Sequence, residues 1–350
     1  MYKNATEENE RGTSRQDWLD WLRVAATFSI IVLHVTTREK VRLKQEISTL
    51  DWWTISVIEL ITRLAVPVFF MISGFLIIGK CVHDPWRYIV PKVQKIFLVL
   101  VFWMFCYSVW EWLKNNVENP LIFSLKLFVG VPYFHLWFLL ALITCYLFAP
   151  VLAICHEKWP SYSRYCLWAM PLIVGVDFVI NFTFATGDYF RSSFLELGLP
   201  YIPLFFSGFL ATRSGFMNTK PTVFLMIAGL AASLIAFAIL KKLDVESYEK
   251  VFLPLSPSIA VASIAFFQYI FSIRKTLPLL PKWAVKLSRD SSGIYLLHPI
   301  PLDIFNHLKI YGRDPNLLFG IPILAFFVLL ASWAMVYSFR VTKLDRYLLP

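Results

Sequence analysis

Long apolar runs, separated by short polar segments, repeat along this chain. Windows of about 19 residues on a hydropathy scale mark membrane-spanning helices. They pick out runs near 19–37, 54–78, 94–113, 134–155, 165–184, 198–212, 222–240, 252–273, 289–309 and 318–339. The runs are continuous, whereas strands of a membrane barrel alternate apolar and polar residues. Since only helices and closed barrels satisfy their backbone groups in lipid, we predict an all-α, polytopic membrane protein with about ten transmembrane helices.

The composition excludes a water-soluble fold. Of all residues, 58% are hydrophobic and 16% are charged, whereas soluble domains carry about 25% charged residues. Spans of about 20 residues with short loops account for the length of the chain. This predicts one transmembrane domain over 17–340, with tails at 1–16 and 341–350. The first apolar run is too long for a signal-peptide core and has no convincing cleavage site, so we expect it to stay as a helix.

The net charge of +10 is distributed along the membrane edges. Lys and Arg residues lie between apolar runs, so we expect membrane lipid rather than nucleic acid as a partner. The basic segments 80–95 and 274–289 favour cytoplasmic N- and C-termini under the positive-inside rule, although the basic outer segment 38–44 runs against it. The five cysteines lack the spacing of a ligand set, which indicates small core residues and no metal site.

The first apolar run carries ionisable residues that are costly in a membrane. Arg23 and His34 are eleven residues apart, which in a helix puts them within about 20° of one face and roughly 16 Å apart along the axis. Asp20 lies one turn before Arg23 and can pair with it. Intramembrane charges usually face the bundle interior and indicate function. Alternatively, Arg23 and His34 extend to the two membrane surfaces, as long polar side chains do.

The second run combines a charged pair with helix-weakening residues. Glu59 and Arg63 have the i,i+4 spacing of a structural ion pair that orients the helix. Pro67 and the Ser73-Gly74 step weaken the hydrogen-bond ladder, which is tolerated where a cavity or neighbouring helices satisfy the freed groups. Tight helix packing by small residues explains the same pattern.

A basic cluster follows this run, at Arg87, Lys92 and Lys95. Lys92 and Lys95 are three residues apart and share a helix face, so they could hold phosphate groups. The spacing fits anionic lipid or a purely topological role better.

Two later segments also carry polar side chains. His135 and Trp137 begin the fourth run, where an aromatic belt at the membrane interface is the ordinary explanation of a tryptophan. In the ninth run Tyr295 and His298 are one turn apart. A buried histidine hydrogen-bonded to a tyrosine is as often structural as functional.

In this order, four motifs resemble those of the membrane acyltransferase-3 family, over essentially the whole chain. They are Leu19-Asp20-Trp21-Leu22-Arg23 with His34 ten residues later, the segment 66–76 that ends Phe-Met-Ile-Ser-Gly-Phe-Leu, His135-Leu136-Trp137-Phe138, and Ser292-Gly293-Ile294-Tyr295-Leu296-Leu297-His298. The chain looks most like the stand-alone O-acetyltransferases of the family, which lack the soluble hydrolase-like domain of some relatives.

The resemblance implies an O-acetyltransferase of the bacterial inner membrane. It would move an acetyl group from cytoplasmic acetyl-CoA to a hydroxyl of an envelope glycan on the other side. The implied catalytic residues are His34, Arg23 and Asp20; the donor site is Arg87, Lys92, Lys95 and Ser73; the acceptor site is His135, Trp137, Tyr295 and His298. Many relatives have Arg-x-x-Arg where this chain has Lys92-Val93-Gln94-Lys95, and lysine lacks the bidentate fork of arginine.

The sequence leaves several alternatives open. His34 could be the general base or the transient carrier of the acetyl group. Intramembrane charges and a broken helix also occur in transporters, so a glycan or anionic-lipid flippase is the rival function, although no inverted repeat is visible. A regulatory protein that has lost the chemistry is a third reading, opposed by the retention of Arg23 and His34. The sequence does not determine the glycan or the acyl chain length. It also leaves the oligomeric state open, with a homodimer as one option.

Overall fold

The computed structural model describes residues 16–43, 47–81, 84–115, 133–160, 165, 169–170, 172–176, 198–213, 219–245, 248–313, 316–343 and 348–349. Within these residues the regular elements are helices. They are α1 (Asp17–Arg42), α2 (Thr49–Thr62), α3 (Ala65–Ile77), α4 (Pro85–Asn115), α5 (Trp137–Lys158), α6 (Ile202–Ala211), α7 (Thr219–Lys242), α8 (Pro257–Ser272), α9 (Lys282–Leu297), α10 (Pro299–His307) and α11 (Leu317–Val341). Short 3₁₀ segments lie at Ile78–Lys80, Leu199–Tyr201 and Tyr248–Phe252. The all-α prediction is confirmed.

Seven segments of the described chain are long and apolar enough to cross a membrane. They are Asp17–Arg42, Thr49–Lys80, Pro85–Lys114, Trp137–Lys158, Thr219–Lys242, Tyr248–Ser272 and Leu317–Val341. A shorter apolar helical segment, Leu199–Ala211, matches the short sixth run. Most of the fifth run (165–184) lies outside the described residues, and the ninth is divided between α9 and α10. The structure therefore supports a multi-pass protein, while the count of ten and the orientation of the termini stay predictions.

The second span is a broken helix. Helix α2 ends at Thr62 and α3 begins at Ala65, with Arg63 and Leu64 in a turn between them. Pro67 lies in the first turn of α3, where its missing N–H would find no helical partner in any case. The regular pattern resumes when the Val68 backbone N–H donates to the Leu64 carbonyl, at 3.1 Å. Proline thus separates the two halves of this span.

A second break divides the ninth apolar run at His298. Helix α9 ends at Leu297 and α10 begins at Pro299. Pro299 and Pro301 lack backbone N–H groups, so the ladder cannot run unbroken through this point. The His298 N–H still bonds to the Ile294 carbonyl at 2.9 Å, so His298 lies at the junction. Each of the two helices is by itself too short to count as a membrane span.

Helix α1 is held at the centre of the bundle by buried carboxylates. Near its N-terminal end, Asp20 accepts a hydrogen bond of 2.5 Å from the Ser288 hydroxyl on α9. Near its C-terminal end, Glu39 accepts one of 2.9 Å from the Gly312 backbone N–H, and Arg38 forms an ion pair with Asp303 of α10. Burying these carboxylates is tolerated because each is hydrogen-bonded or paired. The contacts fix the position of the helix that carries Arg23 and His34.

Helices α3 and α6 pack backbone against backbone through glycine. A Cβ at Gly74 would lie 1.7 Å from the Phe205 carbonyl oxygen, and a Cβ at Gly208 would lie 2.0 Å from the Met71 carbonyl oxygen. Only glycine fits at such distances. The packing explanation of the Ser73-Gly74 step is therefore right for Gly74.

Candidate active site

A cavity of about 1220 Å³ lies inside the bundle. Its described walls come from α1, α3, α4, α5 and α9, from Arg63 in the α2–α3 turn, and from the segments 134–135, 199–201 and 253–255. The volume exceeds that of usual small-molecule sites, about 300–1,000 Å³. It leaves room for a large substrate, or for two substrates side by side.

Most of the predicted site residues meet at this cavity. Its lining includes Arg23, His34, Ser73, Lys92, Lys95, His135, Trp137 and Tyr295. Asp20, Arg87 and His298 are not part of the lining. The lining residues lie far apart in sequence, and the helical bundle brings them together. The functional roles of all these residues stay predictions.

One end of the cavity is basic and begins at Arg23. The Arg23 guanidinium Nη1 lies 3.7 Å from Asp20 Oδ1, as the i,i+3 spacing predicts. The Arg23 side chain is 29% exposed and the Asp20 side chain 8%. Because Asp20 also accepts the Ser288 hydrogen bond, it holds Arg23 against the wall between α1 and α9. Asp20 therefore orients Arg23 from behind and does not face the cavity itself.

Helix α4 adds two lysines to the same cavity. Lys92 is half-buried, with its Nζ 4.6 Å from the centre of the Tyr88 ring, and Lys95 is exposed at the wall. Arg87 is also exposed, but it lies outside the lining. Of the predicted basic cluster, two members thus face the cavity and one faces away from it.

His34 lies in a cluster of three imidazoles. Its ring stacks on the His298 ring, with centroids 5.1 Å apart and planes at 24°. The His135 ring lies edge-on to His298 at 5.4 Å, and Phe134 lies edge-on to His34 at 5.1 Å. Since stacking leaves the ring edge of His34 uncovered, its nitrogens can meet a ligand in the cavity.

The hydrogen bond of His298 fixes its tautomer. Its Nδ1 lies 2.7 Å from the Tyr295 backbone carbonyl oxygen; since a carbonyl only accepts, Nδ1 carries the proton. Nε2 is buried and finds no hydrogen-bond partner in the described part of the chain. The Tyr295 hydroxyl donates instead to the His135 backbone carbonyl. Tyr295 and His298 are thus linked through the backbone, and His298 supports His34 from outside the cavity.

Several lining residues were not predicted as site residues from the sequence. Arg63 pairs with Glu59 as predicted, yet its side chain also lines the cavity. Arg289 lies in the segment 274–289, whose charges indicated topology, and Tyr146 lies in a continuous apolar run. No sequence signal separates these positions from structural ones, because the exposure of a side chain to an internal cavity depends on the packing of several helices.

The described lining carries charge of one sign only, which is positive. Five cationic side chains line the described wall, namely Arg23, Arg63, Lys92, Lys95 and Arg289, and none of the described lining residues is Asp or Glu. Carboxylates pair with Arg23 and Arg63 from behind the wall. No described carboxylate lies within 4.0 Å of Lys92, Lys95 or Arg289. Such a site favours an anionic ligand, since cations in a partly buried cleft concentrate anions.

The described residues contain no group of three or more His, Cys, Asp or Glu side chains placed to hold a metal ion. Curated proteins and solved structures give no match to this chain. The family model of the acyltransferase domain matches residues 16–337, and this range contains all the described residues of the cavity wall. A basic cavity with histidine at one end, in a bundle of membrane helices, fits an acyltransferase domain. The chain belongs to the membrane acyltransferase-3 family and is a multi-pass membrane acyltransferase.

Proposed function

We propose that this protein is an O-acetyltransferase. It takes an acetyl group from acetyl-CoA, which binds from the cytoplasm, and transfers it to a hydroxyl of an envelope glycan on the other side of the bacterial inner membrane. The acceptor is lipid-linked or polymeric, since the chain resembles the stand-alone enzyme that modifies enterobacterial common antigen.

The observation that carries the proposal is one cavity shared by His34 and a basic cluster at the right separation. Arg23 and His34 are roughly 16 Å apart along α1. In CoA, thirteen bonds separate the thiol sulfur from the nearest phosphorus. Three backbone bonds span at most about 3.3–3.6 Å, so an extended pantetheine arm reaches about 15 Å. A donor whose diphosphate lies near Arg23, Lys92 and Lys95 therefore brings its thioester to His34.

The chemistry follows from the position of the imidazole. As a general base, His34 takes the proton of the acceptor hydroxyl while the oxygen attacks the thioester carbonyl; the C–O bond forms, the C–S bond breaks and the proton passes to the CoA thiolate. As a carrier, His34 attacks the thioester first and then passes the acetyl group to the hydroxyl. Both routes give CoA–SH and an acetyl ester, so the overall balance is the same.

The acceptor end of the cavity is aromatic. Phe134, Trp137 and Tyr201 line the cavity, and the Phe134 ring lies 5.1 Å from the His34 ring and 5.2 Å from the His135 ring. The Trp137 and Tyr201 rings lie 5.3 Å apart, which forms a platform for the apolar face of a sugar ring. Arg63 adds a cation at this end.

The proposal is tested by donor consumption in the purified protein. With membrane extract as acceptor, the protein should release CoA thiol from acetyl-CoA, and acetyl-CoA should raise its melting temperature, because a ligand that binds only the folded state stabilises it. Mass spectrometry of envelope glycans with and without the gene then identifies the acceptor by its missing acetyl group. If the protein shows neither thiol release nor a thermal shift, the result fits a transporter and refutes the enzyme.

The first mutational prediction concerns the donor phosphates. Replacing Lys92 and Lys95 together by alanine should raise the dissociation constant of CoA about tenfold or more, since hydrogen bonds to charged groups contribute about 1.5–3 kcal/mol. The measurement is isothermal titration of CoA into purified protein.

Lys286→Ala is the matched control for this double variant. Lys286 lies over the Tyr337 ring, at 4.6 Å, and is not part of the cavity lining. It should bind CoA as the wild type does. Wild-type affinity in the double variant would remove the two lysines from the donor site.

A further inference from the structure

Arg289 is a cavity cation that the donor site proposed above does not yet use. It lies on α9, one residue after Ser288, which hydrogen-bonds Asp20 at 2.5 Å. Asp20 in turn pairs with Arg23. Arg289 therefore belongs to the basic end of the cavity, although it is far from Arg23 and from both lysines in sequence.

The position of Arg289 along α9 sets its distance from the histidines. His298 follows Arg289 by nine residues, and its ring stacks on His34. At a rise of 1.5 Å per residue, Arg289 lies about 14 Å from the histidine level. Arg23 on α1 lies at a similar distance, roughly 16 Å from His34. Two helices thus place arginines at the same end, opposite the reacting imidazole.

The four cations at this end of the cavity differ in exposure. Arg23 and Lys92 are half-buried, whereas Lys95 and Arg289 are exposed. Of the two arginines at this end, Arg289 is therefore the more open to solvent. A ligand whose thioester reaches His34 puts its diphosphate at Arg23, Lys92 and Lys95, and a group that branches from the diphosphate toward solvent meets Arg289.

In CoA, the group beyond the diphosphate is the adenosine ribose with its 3′-phosphate. We propose that Arg289 binds this 3′-phosphate and thereby makes the protein selective for CoA over dephospho-CoA. The inference rests on the proposed use of a CoA donor. A phosphomonoester carries a charge of about −1.5 to −2 and three acceptor oxygens, which a guanidinium holds with two parallel hydrogen bonds. No described carboxylate within 4.0 Å competes for this guanidinium.

The test measures the affinity of CoA and dephospho-CoA, which differ only in the 3′-phosphate. Purified full-length protein is reconstituted in phosphatidylcholine nanodiscs, so that no anionic lipid is present. Wild-type protein should bind CoA about tenfold or more tightly than dephospho-CoA. Arg289→Gln should bind CoA with the wild type's affinity for dephospho-CoA, and its affinity for dephospho-CoA should not change. Lys286→Gln, one turn earlier on α9, should retain the full preference.

Other results overturn the assignment. Equal binding of CoA and dephospho-CoA by the wild type refutes it without any variant, as does an equal loss for both ligands in Arg289→Gln. If the variant fails to fold, Arg289→Lys replaces it, and this variant should lose part of the preference because lysine keeps the charge but not the fork. A wild type that binds neither ligand removes the CoA donor itself.

A lipid headgroup is the other source of phosphate at this membrane edge. The same titrations are therefore repeated in phosphatidylglycerol nanodiscs. If Arg289→Gln alters only the thermal stability in phosphatidylglycerol, and the CoA preference survives in phosphatidylcholine, the guanidinium serves lipid and the inference is wrong.

Discussion

Replacing His34 by alanine should reduce acetyl transfer by a factor of about 10²–10⁴, the usual contribution of a general base, or abolish it if the imidazole carries the acetyl group. Binding of CoA should not change, because the phosphates bind roughly 16 Å away along α1. The measurement is initial-rate acetyl transfer to membrane extract, followed by titration of CoA into the same preparation. Loss of rate with retained donor affinity is the expected signature.

Three variants separate the role of His34 from those of its neighbours. His307→Ala, at an exposed position at the end of α10, is the matched control and should transfer at the wild-type rate. His298→Ala should lower the rate less than His34→Ala, because His298 supports the His34 ring but does not line the cavity. His135→Ala should affect the acceptor dependence more than the donor dependence. Near-normal transfer by His34→Ala would refute the proposed chemistry.

The carrier and general-base routes differ in one observable. If His34 carries the acetyl group, incubation of the wild type with acetyl-CoA in the absence of acceptor should leave an acetyl group on the protein, which His34→Ala lacks. Mass spectrometry of the intact protein after rapid quenching detects it. An unmodified protein that still transfers favours the general base.

The part of the site that could be predicted from the sequence lies within single helices. Arg23 and His34 share a face of α1 because a spacing of eleven residues returns close to the same angle, and the Asp20–Arg23 pair follows from the i,i+3 rule. Those relations depend only on helix geometry. The ionisable residues were recognisable because charges inside apolar runs are costly.

Relations between helices could not be predicted. The stacking of His298 on His34 depends on the break at Pro299 and on the packing of α9 against α1. Arg289 was attributed to topology, since a basic residue at a membrane edge has the same sequence signal whether it faces lipid or a cavity. For the same reason Arg87, Lys92 and Lys95 formed one cluster in sequence, although only the two lysines line the cavity.

For the Ser73-Gly74 pair, both explanations of the sequence pattern are correct. Ser73 lines the cavity, while Gly74, the next residue, faces the backbone of α6. Successive residues in a helix point about 100° apart, so one step can serve a binding wall and a helix contact together. The position of Ser73 in the cavity wall therefore depends on how closely α3 and α6 approach each other.

Replacing Gly74 by alanine should destabilise the protein more than most single substitutions. The added Cβ would lie 1.7 Å from the Phe205 carbonyl oxygen, and because that atom is backbone, the two helices must separate. Overpacking in a core typically costs about 1–3 kcal/mol, occasionally more, and we expect a value at or above the upper end. The free energy of unfolding of purified protein, measured by titration with denaturing detergent, checks it. Acetyl transfer should fall as well, since Ser73 moves with α3.

The neighbouring glycines provide the controls for this contact. Gly208→Ala should have a similar effect, because its Cβ would lie 2.0 Å from the Met71 carbonyl oxygen across the same interface. The double variant should then lose less than the sum of the two, since one separation of α3 and α6 relieves both clashes. Gly79→Ala should be mild: its Cβ would lie 2.8 Å from the end of the flexible Arg213 side chain, which can move aside. Equal stability of Gly74→Ala and Gly79→Ala would show that α3 and α6 do not touch through glycine.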